Sequence, residues 1–383
     1  MGTFFPAFAS TQGGEERRME KNFDRKIVFE DGSEILGYGF GATSDRVCEI
    51  VFNTSMVGYQ ELISDPACTN QLVVMTYPLI GKYGIADEDF EAKLPTIGGL
   101  IVRDYNDMPS NFRYTKTLSE ILEENDIPGL YGVDTRKLMR SIRDGGSKKV
   151  LITNAATAKE DALKILSQLE IPENAVESVS CRKRWYSRTS NHKYNVVAID
   201  CGIRNSSIKS LNIRGCNVTI VPFDTTAEEI AFMKPDGLFI SSGPGNPECV
   251  PQVVETVKAL KGKYPIFGVG LGHQILALSY GAKTYKLKSG HGGANYPVRN
   301  LLTGKLDIVS QHHSYAVCED SLKNTSLSVT HRNIMDNTVE GLASKEDKAF
   351  SVQFYPVGTI DPTVKENLYD DFIKFMEEAK KNA

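Results

Sequence analysis

Apolar positions along this chain follow two rhythms. Up to about residue 152, short β-rich runs such as VCEIVFN (47–53) and QLVVMTY (71–77) alternate with turn clusters, and helical periodicity is confined to 117–124 and 135–143. That mixture predicts an α+β unit with its own core. A helix is predicted through AKEDALKILSQL (158–169), and the stretch after it, 173–193, is polar, aperiodic and locally basic. It reads as a linker. Beyond it the apolar runs NVVAID (195–200), NVTIVP (217–222), GLFISS (237–242) and PIFGVG (265–270) predict strands that alternate with amphipathic helices. The first of these helices, around 204–214, stops at Gly215, and the second begins at a capping box of Thr225 and Glu228. The third carries Val250, Val253, Val254, Val257 and Leu260 on one face and stops at Gly262. Such alternation specifies an α/β domain with a doubly wound, mostly parallel sheet, whose ligands sit at the carboxyl ends of the strands. The expected organisation is a tail over 1–23, an N-terminal α+β domain over 24–172, the linker over 173–193 and the α/β domain over 194–383.

Composition narrows the partners more than the fold. A net charge of −4 and 24% charged residues give no basic surplus for nucleic acid or an anionic membrane. Residues 1–23 hold an apolar patch broken by Pro6 and no basic leader, so neither a signal peptide nor a membrane span is expected there. Seven scattered cysteines show no CxxC or Cys/His spacing for zinc, which points to a reducing cytoplasm. The basic and aromatic cluster of the linker, Arg182, Lys183, Arg184, Arg188 and Lys193 around Trp185 and Tyr186, reads as a solvated segment.

The chemistry concentrates at FGVGLGHQIL (267–276), a strand entering a helix through a glycine turn. Such an elbow presents a nucleophile above a sheet, with a helix N-terminus behind it to hold an oxyanion. Its apex here is Gly270, which presents nothing.

Over nearly its whole length the chain resembles the small, glutamine-amidotransferase subunit of carbamoyl phosphate synthetases. VFNTSMVGYQELISDPACTNQLVVMTYPLIGKYG (51–84), SNFR (110–113) and DTRKL (134–138) carry the likeness to that subunit's N-terminal domain. SGPGNP, FGVGLGHQILALSYGAKTYKLKSGHGGANYPV and FSVQFYPVGTIDP carry the likeness to a class I glutamine amidotransferase domain. The resemblance implies a cysteine thiolate at the elbow, a histidine base in a C-terminal His-Pro-Glu motif and a glutamate that orients it. Gly270, Tyr355 and Val357 stand at those three positions. It further implies an oxyanion-side loop at Gly243 and Gly245, with Leu271 following the nucleophile. Glutamine contacts are implied at Gln274 and Ser55, and the QNHGF segment reads QHHSY here, placing His312, Ser314 and Tyr315 in the pocket. Changes at 270, 312, 314, 355 and 357 point to drift of the whole site.

Other nucleophiles are conceivable at Cys249, Cys318, Ser241, Ser242 or Ser314, and other bases at His273, His312 or His313, but none of the nucleophiles is at an elbow apex. His312 and His313 are adjacent, so on a strand they point to opposite faces and share no metal. The expectation is a small subunit without glutaminase activity that supports ammonia-dependent carbamoyl phosphate synthesis by a large subunit, for pyrimidine or arginine formation. No cofactor is expected in this chain, while ATP, Mg and bicarbonate belong on the large subunit; residual glutamine binding stays open. The alternatives are a glutamine-hydrolysing subunit with rearranged catalytic residues and a non-catalytic binding or regulatory protein on the same fold.

Overall fold

The computed structural model describes residues 22–173, 175–356 and 368–381. The first unit contains β1 (Arg25–Phe29), β2 (Glu34–Gly41), β3 (Arg46–Asn53), β4 (Gln71–Met75), β5 (Leu79–Ile80), β6 (Gly99–Ile101), β7 (Asp104–Tyr105), β8 (Pro128–Tyr131) and β9 (Lys148–Asn154). Seven of these strands close a barrel in the order β1-β2-β8-β6-β4-β3-β9, with β9 returning to β1, while β5 and β7 pair with each other. Ile27, Ile50, Leu72, Ile101, Leu130 and Val150 fill one buried cluster of the barrel. Closure removes the open edges that a short sheet would otherwise expose. Four helices, α1 (Tyr59–Ile63), α2 (Leu118–Glu124), α3 (Thr135–Gly145) and α4 (Lys159–Gln168), complete the α+β unit. The α2 start is fixed by a capping box, in which Thr117 Oγ accepts from the Glu120 N–H and Glu120 accepts from the Thr117 N–H.

The segment expected to be an aperiodic linker is partly structured. It holds α5 (Ala175–Val179) and β10 (Trp185–Ser187), and β10 pairs antiparallel with the strand at Cys216–Pro222. The Cys181 N–H donates to Asp200 Oδ2, and the Thr189 N–H donates to Asn217 Oδ1, so polar residues of the next domain tie this stretch down. Three residues of strand are too few to show a period.

The second unit is the doubly wound α/β domain. Its strands are β11 (Tyr194–Asp200), β12 (Cys216–Pro222), β13 (Gly237–Ile240), β14 (Ile266–Val269), β15 (Thr284–Asn300), β16 (Leu306–Val317), β17 (Ser328–Asn333), β18 (Val339–Ser344) and β19 (Ala349–Val352). With β10 they form one sheet ordered β10-β12-β11-β13-β14-β19-β18-β16-β15-β17. From β12 to β19 the pairings are parallel, and from β18 outward they are antiparallel. Buried on both faces, β13 and β14 read as unbroken apolar runs rather than alternating ones. Helices α6 (Asn205–Ile213), α7 (Ala227–Phe232), α8 (Pro251–Leu260), α9 (Leu271–Ser279) and α10 (Leu368–Lys381) pack with this sheet. The capping box of α7 is one residue later than the sequence reading placed it. Thr226 and Glu229 make the reciprocal bonds, because the Thr225 hydroxyl is spent on Pro222 O in the preceding turn. None of the described helices is long and apolar enough to cross a membrane.

Arg204, at the N-cap of α6, joins the two units. Its guanidinium lies 2.7 Å from Glu91 Oε1 and 3.8 Å from Asp65 Oδ2, both carboxylates of the barrel unit, and all three residues are buried. Burial opposes its charge, yet the Asp65 and Glu91 carboxylates outweigh that and hold the guanidinium protonated. Glu91 also accepts the Ser206 N–H through Oε2, so one carboxylate both pairs Arg204 and caps a helix start. Breaking a buried pair by removing one partner leaves a charge uncompensated. Arg204→Ala is therefore expected to lower unfolding free energy in urea by about 3–5 kcal/mol; a loss under about 1 kcal/mol would show that solvent reaches the pair.

Candidate functional site

The elbow forms because β14 ends at Val269 and α9 starts at Leu271, leaving one residue to turn the chain. Gly270 makes that turn at φ 59°, ψ −113°, a positive-φ conformation that L side chains rarely adopt and hold only under strain. The turn is held by backbone bonds. The Gly270 N–H donates to Val352 O on β19, and Gly270 O accepts the N–H of His273. A Cβ added at 270 would lie 3.1 Å from Ser242 Cβ, so a side chain there would press on the adjoining loop. Gly272 lets α9 pack against the sheet: a Cβ on it would meet Ile240 O at 2.2 Å.

Beside the elbow is a cavity of about 40 Å³ lined by Ser242, Gly243, Gly245, Gly270, Leu271, Gln274, His312, His313, Ser314 and Tyr315, with Glu49, Ala67 and Gln71 from the barrel unit. The sequence-predicted residues Gly243, Gly245, Gly270, Leu271, Gln274, His312, Ser314 and Tyr315 are thus brought together. Ser55 is not part of that wall; its N–H donates to Asn53 Oδ1. Tyr355 does not line the cavity, and Val357 lies outside the described residues. Ala67 and Gln71 fall inside the 51–84 stretch that carries the family likeness, but nothing in the sequence assigned them or Glu49 to this wall, which they reach only through the packing of the two units. A cavity of this size holds a few waters, against the several hundred Å³ usual for a small-molecule pocket.

Each wall residue has a physical reason for its place. Gln274 Nε2 donates to Tyr315 O at 2.8 Å and to Gln353 Oε1 at 3.0 Å, pinning α9 to the sheet. His312 Nε2–H donates to Gln71 Oε1 at 2.6 Å across the interface between the units. Burial, with a contribution from Arg204, pulls the His312 pKa down, so the ring is neutral. His313 donates Nδ1–H to Tyr315 O at 2.8 Å, and burial together with the His291 charge pushes its pKa well down. The two histidines therefore make separate contacts, as adjacent strand positions require.

At the position of the expected base, Tyr355 is buried with its ring centroid 4.0 Å from the Arg204 guanidinium carbon. Burial and the nearby Asp65 raise its pKa well above the usual phenol range, so it stays neutral and cannot serve as a base at ordinary pH. The other candidates are likewise engaged. Ser241 Oγ donates to Ser242 O and accepts the Cys201 N–H, and Ser242 Oγ donates to Gly202 O. Burial, with Glu173 and Glu248, raises the Cys249 thiol rather than activating it, and neither Cys249 nor Cys318 lines the cavity. His273, buried against Ser351 Oγ at 2.9 Å, has its pKa pulled down to about 3 by burial.

Sequence reasoning missed a charged network behind the wall. His291, His313 and Glu340 have ligand atoms within 4.8 Å of one another, a composition able to hold a metal. Here Gln311 is the hub: its Oε1 lies 2.9 Å from His291 Nδ1 and 3.1 Å from His313 Nε2, while its Nε2 donates to Glu340. His291 also donates Nε2–H to Asp336 at 2.8 Å. Burial disfavours its charge, but Asp336 and Glu340 win and push its pKa up to about 9.

A strand-turn-helix elbow at the carboxyl end of a parallel sheet, with a glycine loop facing it, defines the class I glutamine amidotransferase type of domain. The profile described as "Glutamine amidotransferase class-I" matches residues 197–375, and that of "Carbamoyl-phosphate synthase small chain, CPSase domain" matches 27–152. The chain is 48% identical to a carbamoyl phosphate synthase small chain of Staphylococcus saprophyticus, over 93% of this chain and 97% of that one. Small chains from Listeria innocua and Bacillus cereus are 44% and 45% identical, over 92% and 93% of this chain and 96% and 97% of theirs. The chain belongs to the carbamoyl phosphate synthase small chain family.

The His291 network predicts a pH signature. A pKa raised from 6.5 to about 9 contributes stability that is complete below pH 6.5 and lost as pH rises through 9. Asp336, lowered to about 2 chiefly by the His291 bond and charge acting against burial, contributes stability above pH 3.8 that is lost as pH falls through 2. The urea midpoint of the intact protein is expected to fall between pH 6 and pH 9.5, corresponding to about 3 kcal/mol. His291→Gln should remove most of that slope; an unchanged slope would show that His291 is not charged at pH 6.

Proposed function

We propose that this small chain does not hydrolyse glutamine and instead supports a synthase large subunit that makes carbamoyl phosphate from free ammonia, bicarbonate and ATP. The observation carrying the reading is the elbow itself: Gly270 holds the apex at φ 59°, ψ −113°, with no side chain to attack an amide. Amide cleavage by this class of site needs a nucleophile, a base within hydrogen-bond reach and a group that orients the base. Tyr355, packed on Arg204, supports the reading at the second role, and Val357 supports it at the third by its chemistry alone. The barrel unit, matched along 27–152, is the reason to expect a large-subunit partner, since the relatives are named as small chains of a synthase. Glutamine would also find little room in a cavity of about 40 Å³. The ATP-dependent steps, with Mg and bicarbonate, fall to the large subunit, and the product suits pyrimidine or arginine synthesis in the cytoplasm.

The test is a choice of nitrogen donor. A reconstituted complex with a large subunit is expected to make carbamoyl phosphate with ammonium and not with glutamine, and the chain alone to release no glutamate. Glutamate release lost on changing Cys249 or Cys318 would establish a rearranged glutaminase. Failure to associate with any large subunit would make the chain a free-standing binding protein.

Repair provides a second check. Gly270→Cys alone is expected to stay inactive, because members of a catalytic triad act as a unit and Tyr355 supplies no imidazole. It should also cost roughly 1–3 kcal/mol by forcing a Cβ into the strained turn against Ser242. Adding Tyr355→His and Val357→Glu restores the missing chemistry and should return measurable glutaminase activity. Robust turnover by the single variant would mean that His312 or His313 already acts as the base.

A further inference from the structure

Behind the cavity wall, nitrogen and oxygen atoms from neighbouring strands converge. His291 lies on β15, Gln311 and His313 on β16, and Glu340 on β18. β16 pairs with β18 at Val317 and Val339, and at the level of Gln311 the strands are joined instead through the Gln311 and Glu340 side chains. Gln311 Oε1 lies 2.9 Å from His291 Nδ1 and 3.1 Å from His313 Nε2, and His291 Nδ1 lies 3.6 Å from Glu340 Oε1. A tetrahedral ion with bonds of about 2.0–2.2 Å to nitrogen and oxygen sets its ligand atoms roughly 3.4 Å apart. The separations here bracket that value.

Hydrogen bonds alone leave this cluster in conflict. His313 Nδ1–H donates to Tyr315 O, and a neutral imidazole carries one N–H, so Nε2 presents a lone pair. Burial beside the His291 charge keeps that ring neutral. The lone pair faces Gln311 Oε1, another acceptor. Turning the amide over would set its oxygen against the Glu340 carboxylate, to which Gln311 Nε2 now donates at 2.9 Å. A cation answers both acceptors at once. The histidines are also oriented as ligands, since a metal-bound imidazole typically donates its second N–H to a carboxylate or a backbone carbonyl. His291 Nε2–H goes to Asp336 at 2.8 Å, and His313 Nδ1–H goes to Tyr315 O at 2.8 Å. Asp336 is itself fixed by the N–H and hydroxyl of Thr338.

We propose that His291 Nδ1, His313 Nε2, Gln311 Oε1 and the Glu340 carboxylate form a binding site for zinc. Imidazole nitrogens mixed with oxygens suit zinc, whereas magnesium and calcium prefer all-oxygen sets. Binding releases the His291 Nδ1 proton to solvent, and the dication then offsets the Glu340 and Asp336 carboxylates. Asp336, 39% exposed, opens the cluster to solvent. With every position filled by protein the ion is structural: it fastens β15, β16 and β18 behind the His312–Tyr315 wall. The hydrogen-bonded, charged His291 described above belongs to the zinc-free chain.

The experiment uses the full chain, stripped of metal by a chelator and then given zinc chloride alone. One equivalent is expected to bind, and X-ray absorption at the zinc edge of the unmutated protein should show imidazole nitrogen and oxygen ligands with no sulfur. In NMR the ring resonances of His291 and His313 should shift, while those of the exposed His192 should not. Asp336→Asn, which acts only through His291, is expected to weaken zinc binding about tenfold; Glu340→Gln and His313→Asn, which remove ligands, should weaken it further. Magnesium chloride should bind at none of these residues. If a ligand variant fails to fold without metal, the absorption and NMR spectra of the unmutated protein decide the matter alone. Absence of stoichiometric binding, sulfur in the zinc shell, or unchanged affinity in a folded Glu340→Gln chain would each overturn the proposal.

Discussion

The buried ion pair of Arg204 with Glu91 and Asp65 is the constraint on which the site depends, because the cavity has walls from two separately built units. Gln71 and Glu49 come from barrel strands, while His312, Gln274 and the elbow come from the sheet domain. An Arg204 that is charged, buried and shared by two carboxylates cannot slide without exposing an unpaired charge, so the relative placement of the units is held to a narrow range. Two further contacts depend on that placement: the His312–Gln71 bond and the close approach of β15 to β3. At the latter, a Cβ on Gly292 would lie 2.3 Å from Phe52 O.

Arg204 is held from the sheet domain as well. The ring of Tyr355 is a platform for the Arg204 guanidinium, an attraction of about 2 kcal/mol when both are desolvated. The contact helps to hold Arg204, and with it the two units, in register. The elbow loop tells a similar story: Gly270 keeps its backbone bond to Val352 and its link to His273, so the turn is a structural joint between β14, β19 and α9.

The architecture was legible where the sequence repeats a period often enough to be read. The strands at 195–200, 217–222 and 265–270 and the helix carrying Val253, Val257 and Leu260 all fall where their apolar spacing places them. The elbow and its glycine loop were equally plain, since they are contiguous motifs. What escaped was short or non-local. β10 has only three residues, α7 starts one residue late because Thr225 caps a turn of its own, and Gln71, Glu49 and the His291–Asp336–Glu340 network are assembled by distant segments. Ser55, singled out by a motif match, does not line this cavity, and its N–H donates to Asn53 Oδ1.

Strand order also sets a schedule for synthesis. The barrel needs nothing beyond β9, so it can close on the emerging chain well before the second unit is complete. The sheet domain is different: β19, close to the C-terminus, lies between β14 and β18 and pairs with both, and the elbow's Gly270 bonds to its Val352. Until the ribosome delivers that strand, β14 has an open edge and the cavity wall lacks its support. A nascent chain therefore passes through a long interval as a finished barrel trailing an unfinished sheet, the stage at which its apolar strands most need shielding by chaperones.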